Sequence, residues 1–97
     1  MTDSKPVVLY GTRFCSYCIA ARKLLEAENI PFDDIGLDGE LALRREIMAR
    51  SGRHTVPQIW IGDYHVGGYM DLKLLAGSGE LQTILAAALD NVSGSTI

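Results

Sequence analysis

Two cysteines stand three residues apart in the stretch RFCSYCIAARKLL, at the start of a predicted helix. Cys15 and Cys18 are the only cysteines of the sequence. A C-x-x-C pair can bind a metal ion, form a structural disulfide or carry out thiol redox chemistry. The other residues of the sequence favour one of these three.

A metal site and a structural disulfide both fit the sequence poorly. A zinc site needs four ligands, and only His54 and His65 could join the cysteines, at a spacing unlike the usual H-x₃₋₅-H. A disulfide across two intervening residues closes so small a loop that it removes little entropy from the unfolded chain. We expect both histidines to occupy ordinary surface or loop positions.

Redox chemistry predicts particular surroundings for Cys15. At the cap of a helix, unpaired backbone N–H groups and the positive end of the helix dipole stabilise a thiolate. The thiolate is the nucleophilic form of cysteine, so a lowered pKa makes the thiol reactive. Cys18 lies one turn later on the same face, within reach of a disulfide. We also expect the nearby Arg13 to favour the ionised form of Cys15.

The elements that must position the cysteines alternate between strand and helix. Apolar runs and turn signals predict four strands, at residues 7–10, 32–37, 58–61 and 64–66. Apolar residues at helical spacing predict four helices, at residues 16–28, 40–51, 70–76 and 80–89. The order β-α-β-α-β-β-α-α implies an α/β fold with a four-stranded mixed sheet and helices on both faces.

Composition limits the partners of the chain. We expect its 97 residues to form a single domain over 1–97, with a core at about 7–89 and a tail at 91–97 that frays. A net charge of −3 argues against a general nucleic-acid binder. The sequence shows neither an apolar run of the roughly 20 residues that span a bilayer nor a signal peptide at its start. We expect a cytoplasmic monomer, without membrane or nucleic-acid partners, in which thiols stay reduced.

Three separate stretches resemble the dithiol glutaredoxins of the small bacterial type, which have a thioredoxin-like fold. They are Cys15-Ser16-Tyr17-Cys18, Thr55-Val56-Pro57, and Gly67-Gly68 followed by Asp71. The similarity extends from about Val7 to Leu89, and the three stretches in this order are far more specific than any one alone. The resemblance implies a glutathione-dependent thiol–disulfide oxidoreductase.

The resemblance also implies where glutathione binds. In this family the Val56–Pro57 bond is cis, and the backbone of Val56, with Thr55 before it, pairs with an extended peptide beside Cys15. The segment that holds the γ-glutamyl end would be Gly68, Tyr69, Met70 and Asp71. Asp71 would accept the ammonium group; from its position alone it is an ordinary acid in the first turn of a helix. Met70 replaces the polar residue that is common in the family.

The basic residue for the glycyl carboxylate is left open. Many family members have a lysine three residues before the first cysteine, where this chain has Thr12. Arg13 and Arg53 are candidates for this role, and either is otherwise a solvated surface charge. Tyr17 would flank the glutathione.

Three further residues near the predicted site have their own expectations. Ser16 replaces the proline that is common between the cysteines, which frees a backbone N–H and adds a hydroxyl beside the Cys15 thiolate. Phe14 and Trp60 are predicted to pack in the interior rather than to bind a ligand.

The implied reaction is thiol–disulfide exchange. The Cys15 thiolate attacks the glutathione sulfur of a glutathionylated protein, and Cys18 or a second glutathione resolves the product. Glutathione is the co-substrate, reduced by NADPH through glutathione reductase, and no bound metal or organic cofactor is required. Two alternatives remain. A dimer could carry a [2Fe–2S] cluster on the first cysteine and glutathione, or thioredoxin reductase could reduce the protein, against which Tyr17 and the segment 67–71 argue.

Overall fold

The chain folds in the predicted order of strands and helices. The computed structural model describes residues 5–94. The strands are β1 (Val7–Gly11), β2 (Phe32–Gly36), β3 (Gln58–Ile61) and β4 (Tyr64–Gly67). The helices are α1 (Ser16–Ala27), α2 (Leu41–Ser51), α3 (Tyr69–Ser78) and α4 (Glu80–Gly94). The predicted α/β class and the order β-α-β-α-β-β-α-α are confirmed.

The four strands form one mixed sheet in the order β2-β1-β3-β4. The central strand β1 is parallel to β2 and antiparallel to β3, and β4 is antiparallel to β3. Because β1 and β3 run in opposite directions, the end of β1 lies beside the start of β3, where Tyr10 pairs with Gln58. The loop after β1, which carries the cysteines, and the loop before β3, which carries Pro57, therefore meet at one edge of the sheet.

The sheet has an apolar core on each face. All four residues of β3 are buried, and its apolar side chains alternate between the two cores. Ile59 and Ile61 face the larger core. Helices α1, α3 and α4 contribute Ala21, Leu25, Leu72, Leu81 and Leu85 to it. Trp60 faces the smaller core, with Ile47 of α2. Packing on both faces holds α1 and the start of β3 in fixed positions beside each other.

Three helices end at residues in the left-handed conformation. Asn29 (φ 58°) follows α1, and Gly52 (φ 70°) ends α2 directly after the predicted last residue of that helix. Helix α3 continues through Gly77, beyond its predicted end at residue 76, and ends at Gly79 (φ 85°). A single glycine weakens a helix without removing a backbone hydrogen bond, so α3 is longer than the sequence predicts.

Helix α4 also extends beyond its predicted end at Leu89, to Gly94. The residues after Leu89 include no proline, so nothing there prevents continued helical hydrogen bonding. Residues 91–94 of the predicted tail are thus helical, and residues 95–97 lie outside the described part of the chain. Among residues 5–94, every helix is too short or too polar to cross a lipid bilayer.

Candidate active site

Cys15 occupies the N-cap of α1, as the sequence predicts. Its backbone is extended (φ −97°, ψ 126°), and its carbonyl accepts the N–H of Ile19 (3.0 Å) in the first helical turn. The backbone N–H groups of Tyr17 and Cys18, in the first turn of α1, act on the Cys15 sulfur and lower the pKa of its thiol. The sulfur thus lies where a helix offers its unpaired N–H groups to a negative charge.

The pKa of the Cys15 thiol is lowered from its ordinary value. Burial alone would raise this pKa, but hydrogen bonds from the backbone and side chain of Cys18 and from the Tyr17 N–H outweigh burial, and the charge of Arg22 adds to them. The cation that acts on Cys15 is therefore Arg22 rather than Arg13. The Arg13 guanidinium lies over the Phe14 ring, 5.6 Å from its centroid.

Cys18 has the opposite environment. Its side chain is fully buried, and burial raises the pKa of its thiol; an N–H from Thr12 opposes this, and the neighbouring Cys15 raises the pKa further. The Thr12 N–H donates to the Cys18 sulfur at 3.4 Å. Both cysteines are free thiols. The Cys15 thiol is thus half-buried and its pKa is lowered, whereas the Cys18 thiol is buried and its pKa is raised.

The loop before β3 brings a backbone carbonyl to Cys15. The Val56–Pro57 peptide bond is cis, as the resemblance implies. The Val56 carbonyl oxygen lies 3.9 Å from the Cys15 sulfur, although 41 residues separate the two in sequence. Pro57 is buried, Val56 is half-buried and Thr55 is exposed. A backbone edge at the protein surface therefore lies directly beside the reactive thiol.

A hydrogen-bonded chain behind this loop was not predicted. Gln58, 1% exposed, donates from Nε2 to the Thr55 carbonyl (3.0 Å), and its Oε1 lies 2.7 Å from His65 Nε2. A carbonyl can only accept, so the amide nitrogen of Gln58 must face Thr55 and its oxygen must face His65. His65 Nε2 is therefore protonated, and this N–H donates a hydrogen bond to Gln58 Oε1.

The expectation that His65 occupies an ordinary surface or loop position is wrong. Its ring is half-buried and stacks on Trp60, with ring centroids 4.6 Å apart. Burial lowers the pKa of His65, and the charges of Arg53 and Arg50 lower it further, against the opposing charge of Asp71. His54, in contrast, is exposed as expected.

A second group of predicted residues lies at the turn between β4 and α3. Arg53 Nη1 donates to Asp71 Oδ2 (2.8 Å), and the same oxygen accepts the Gly68 N–H (2.9 Å) at the start of α3. These hydrogen bonds from Arg53 and Gly68 lower the pKa of Asp71. Asp71 is thus both an ion-pair partner and the capping acid of α3.

Only a glycine fits at position 67 beneath this ion pair. Gly67 has a φ of 111°, and a Cβ atom on it would lie 2.5 Å from Asp71 Oδ2 and 2.9 Å from Arg53 Nη1. Both its backbone conformation and the space around it exclude a side chain. The glycine at position 67 therefore reflects a close approach of the ion pair to the backbone.

The aromatic residues near Cys15 differ in exposure. Phe14 is 87% exposed, so the prediction that it packs in the interior is wrong; it lies in the loop between β1 and α1, outside both cores. Trp60 is packed, as predicted. Tyr17 is exposed, and the centroid of its ring lies 6.3 Å from that of Tyr69, so side chains at the starts of α1 and α3 lie close to each other. Met70 is also exposed.

The predicted site residues form two groups. Thr12 and Val56 contact the cysteines, whereas Arg53, Gly68 and Asp71 contact one another. Arg13 belongs to neither group, since its contacts are to Phe14 and, through its N–H, to Asp38 Oδ2 (3.1 Å). Among residues 5–94, the His, Cys, Asp and Glu side chains form no cluster of three or more suited to a metal ion.

Sequence reasoning missed Arg22, Gln58 and His65. Arg22 follows Cys18 by one helical turn, a spacing that could have placed its charge on the face that carries the cysteines. Gln58 and His65 meet across the hairpin formed by β3 and β4, and their only signal was a polar residue at the start of an otherwise apolar strand.

The chain is similar to curated bacterial proteins over most of its length. A family model described as Glutaredoxin matches residues 7–66. A glutaredoxin of Pseudomonas aeruginosa is 48% identical over 82 residues, which cover 84% of this chain and 98% of that protein. Glutaredoxin 3 of Escherichia coli K12 is 42% identical over 79 residues, which cover 81% of this chain and 95% of that protein.

Solved structures agree with this similarity. The buckwheat glutaredoxin–glutathione complex superposes with a TM-score of 0.81 at 28% identity, covering 87% of this chain and 79% of that one. The solution structure of a glutaredoxin from Brucella melitensis has a TM-score of 0.75 at 39% identity, covering 87% of this chain and 91% of that one. The chain therefore belongs to the glutaredoxin family and, with its thioredoxin-like fold, is a thiol–disulfide oxidoreductase.

Proposed function

We propose that this protein is a glutathione-dependent oxidoreductase that reduces protein–glutathione mixed disulfides and protein disulfides. The observation that carries the proposal is the contrast between its two thiols. Cys15 is half-buried with a lowered pKa, and Cys18 is buried with a raised pKa. The thiolate is the attacking species in disulfide exchange, so Cys15 is the nucleophile and Cys18 the resolving cysteine.

The first half of the reaction uses Cys15 alone. Its thiolate attacks the glutathione sulfur of a glutathionylated protein, the S–S bond of the substrate breaks, and the protein leaves as a thiolate that takes up a proton. A new disulfide then joins Cys15 to glutathione. The Tyr17 and Cys18 N–H groups, which favour the Cys15 thiolate, also favour it as the leaving group when this disulfide is later broken.

The second half has two routes. A second glutathione thiolate attacks the bound glutathione sulfur, which releases oxidised glutathione and restores the Cys15 thiolate. Alternatively the Cys18 thiol loses its proton and attacks the Cys15 sulfur, which releases the bound thiol and leaves a Cys15–Cys18 disulfide. Two glutathione molecules reduce that disulfide, and NADPH reduces the oxidised glutathione through glutathione reductase. The cytoplasm, where thiols are kept reduced, suits this cycle.

The surface around Cys15 supports glutathione as the co-substrate. The Val56 backbone, 3.9 Å away, can pair with the cysteine of the tripeptide as an added strand does. Thr55 and Pro57 hold this edge. Arg53 and Asp71 present one positive and one negative group, which matches the zwitterionic character of glutathione.

The γ-glutamyl end can bind without breaking the Arg53–Asp71 pair. Both contacts of Asp71 use Oδ2, so an ammonium group can be accepted at Oδ1. The N–H groups that open α3, at Tyr69 and Met70, are suited to the glutamyl carboxylate. Arg53 is our choice for the glycyl carboxylate, because Thr12 carries no charge and Arg13 contacts Phe14 and Asp38 instead. Tyr17 flanks the ligand.

A coupled assay tests the function directly. The reduction of a glutathionylated peptide is measured as the consumption of NADPH in the presence of glutathione and glutathione reductase. Cys15→Ser should abolish the reaction, while Cys18→Ser should retain it and lose the reduction of an intramolecular peptide disulfide. Mass spectrometry of Cys18→Ser after treatment with oxidised glutathione should find one glutathione, on Cys15.

Other outcomes would point to other functions. An active Cys15→Ser with an inactive Cys18→Ser would reverse the roles of the cysteines. Activity with thioredoxin reductase and NADPH in the absence of glutathione would identify the alternative reductant. Visible absorbance after anaerobic purification would identify the cluster-carrying dimer.

A further inference from the structure

Arg22 joins three parts of the chain around the cysteines. It lies one helical turn after Cys18 in α1. Its Nε donates to Asp34 Oδ2 in β2 (2.8 Å), and its Nη2 donates to the Thr12 carbonyl (3.1 Å) in the loop before Cys15. Its side chain is only 18% exposed. A guanidinium can make both contacts at once because its donors lie in one rigid plane.

Thr12 connects Arg22 to Cys18. The Thr12 carbonyl accepts from Arg22, and the N–H of the same residue donates to the Cys18 sulfur (3.4 Å). The sulfur also has little room to move, because a Cβ atom on Gly11 would lie 2.8 Å from it. The buried thiol thus lies between the end of β1 and the N–H of a residue whose carbonyl is bound by Arg22.

We infer that Arg22 is a positioning residue for the resolving step: by holding Thr12, it keeps the Thr12 N–H directed at the Cys18 sulfur. This inference deepens the proposed function and rests on it. In the resolving step Cys18 loses its proton to solvent, and its thiolate attacks the Cys15 sulfur of the mixed disulfide. The bond between the Cys15 sulfur and the bound thiol, which is glutathione when the substrate is glutathionylated, breaks, and the released thiolate takes up a proton. A hydrogen bond to the Cys18 sulfur stabilises the thiolate that attacks.

The effect of Arg22 on the resolving step can be separated from its charge effect on Cys15. Arg22→Lys keeps a positive charge near Cys15 but cannot bind Asp34 and Thr12 in the same planar geometry. The first step, attack by Cys15, depends on the charge. The second step, attack by Cys18, depends on the position of Thr12. Arg22→Lys should therefore slow the second step selectively.

Both steps can be measured in one single-turnover reaction. Reduced protein is mixed with a glutathionylated peptide in the absence of free glutathione, quenched with acid and analysed by mass spectrometry. Release of the peptide thiol reports the first step, and formation of the Cys15–Cys18 disulfide reports the second. The control is Lys23→Met, which removes an exposed cation at the neighbouring position of α1.

We expect Arg22→Lys to slow disulfide formation about 5-fold, as the loss of one hydrogen bond would, and to change release of the peptide thiol less than about 2-fold. Lys23→Met should change neither rate. Equal slowing of both steps, or no slowing of the second, would overturn the inference. If Arg22→Lys does not fold, Asp34→Ala, which frees the guanidinium from β2, should slow the second step in the same direction, and an unchanged second step there would also overturn it.

A readout independent of catalysis separates this inference from the proposed function. In a Cys15→Ser background, the alkylation rate of Cys18 against pH reports its thiol alone. Arg22→Lys should shift this titration to higher pH, and Lys23→Met should not; an unshifted Cys18 would overturn the role of Arg22. A wild-type protein that releases no peptide thiol would instead contradict the proposed function, and the Cys18 titration would still decide the role of Arg22.

Discussion

At the level of single residues, the two cysteines differ in the groups that reach their sulfur atoms. The N–H groups of the first turn of α1 act on Cys15, whereas Cys18 is fully buried and accepts the N–H of Thr12. The local sequence C-S-Y-C fixes only the spacing of these thiols. Their different reactivity comes from a helix end for one and burial for the other.

The pKa of Cys15 should depend on Arg22 and not on Arg13. Cys15 should titrate below the value of about 8.5 for a free cysteine. Arg22→Met should raise its pKa because a positive charge is lost, whereas Arg13→Met should leave it near the wild-type value. The alkylation rate against pH, with the modified cysteine identified by mass spectrometry, measures this. A Cys15 that titrates like free cysteine, or an effect of Arg13→Met alone, would contradict the assignment.

Asp71 should have separable effects on glutathione binding and on stability. Asp71→Asn keeps an acceptor for the Gly68 N–H but loses the charge, so we expect KM for a glutathionylated peptide to rise roughly 10-fold. Asp71→Ala also removes the cap of α3 and should lower the free energy of unfolding by about 0.3–1 kcal/mol. Urea unfolding and steady-state kinetics measure the two effects. Asp63→Asn, an exposed acid in the hairpin turn, is the control; a KM unchanged in Asp71→Asn would exclude Asp71 from the glutathione site.

At the level of elements, the site is assembled from the ends of strands. The loop after β1, the loop before β3 and the turn after β4 all contribute to it, and the sheet order brings them together. Gln58 hydrogen-bonds both to Thr55 in the loop before β3 and to His65 in β4. The positions of this loop and of β4 in the site are therefore not independent.

Stability should fall at mildly acidic pH because of His65. Its pKa is lowered in the folded protein, so the folded state binds its proton less readily than the unfolded state does. The contribution of neutral His65 to the free energy of unfolding is fully present above the ordinary histidine pKa of about 6.5. It is lost as the pH falls through the lowered pKa of the folded protein. Urea unfolding at pH 7.5 and 5.5 should show a smaller loss for His65→Gln than for wild type. His54→Gln, at an exposed position, should behave like wild type; an equal loss in all three proteins would contradict this role of His65.

The elements were largely predictable from the sequence, because strand and helix periodicity and the turn residues are local signals. Asn29 and Gly52 stop α1 and α2 within one residue of the predicted ends, since a left-handed residue needs no long-range contact to stop a helix. The cap position of Cys15 follows in the same way. The cis bond before Pro57 was expected only from the family resemblance, since a proline alone does not specify it.

The errors concern residues whose environment depends on the tertiary structure. Phe14 has the apolar side chain of a core residue but lies in a loop outside both cores. His65 is half-buried only because β4 pairs with β3 and places its ring on Trp60. Asp34, which pairs with Arg22, lies on β2, the strand that pairs in parallel with β1. Spacing along the chain could place Arg22 near Cys18, but only the sheet order could supply Asp34.

At the level of the whole molecule, the reduced protein should be more stable than the oxidised one near neutral pH. The folded state stabilises the Cys15 thiolate, and a Cys15–Cys18 disulfide removes that thiolate while it closes only a very small loop. The contribution of the Cys15 thiolate to the free energy of unfolding is complete above the pKa of a free thiol. It decreases below that pKa and is lost as the pH falls through the lowered pKa of Cys15. The urea midpoint of the reduced protein should therefore exceed that of the oxidised protein at pH 7.5, and the difference should shrink at pH 5. An oxidised form that is more stable at both pH values would contradict it.

The pairing of β1 with β3 has a further consequence while the protein is being made. A single β-α-β unit buries too little apolar surface to be stable, so α1 and its end beneath Cys15 are not held until β3 has joined the sheet. We therefore expect the thiols of an incomplete chain to have ordinary pKa values and, at neutral pH, to react with disulfides more slowly than the Cys15 thiolate of the folded protein. We expect the high reactivity of Cys15 at neutral pH to appear only in the complete fold. The fraction of molecules in which Cys15 is alkylated rapidly should therefore equal the fraction of native molecules.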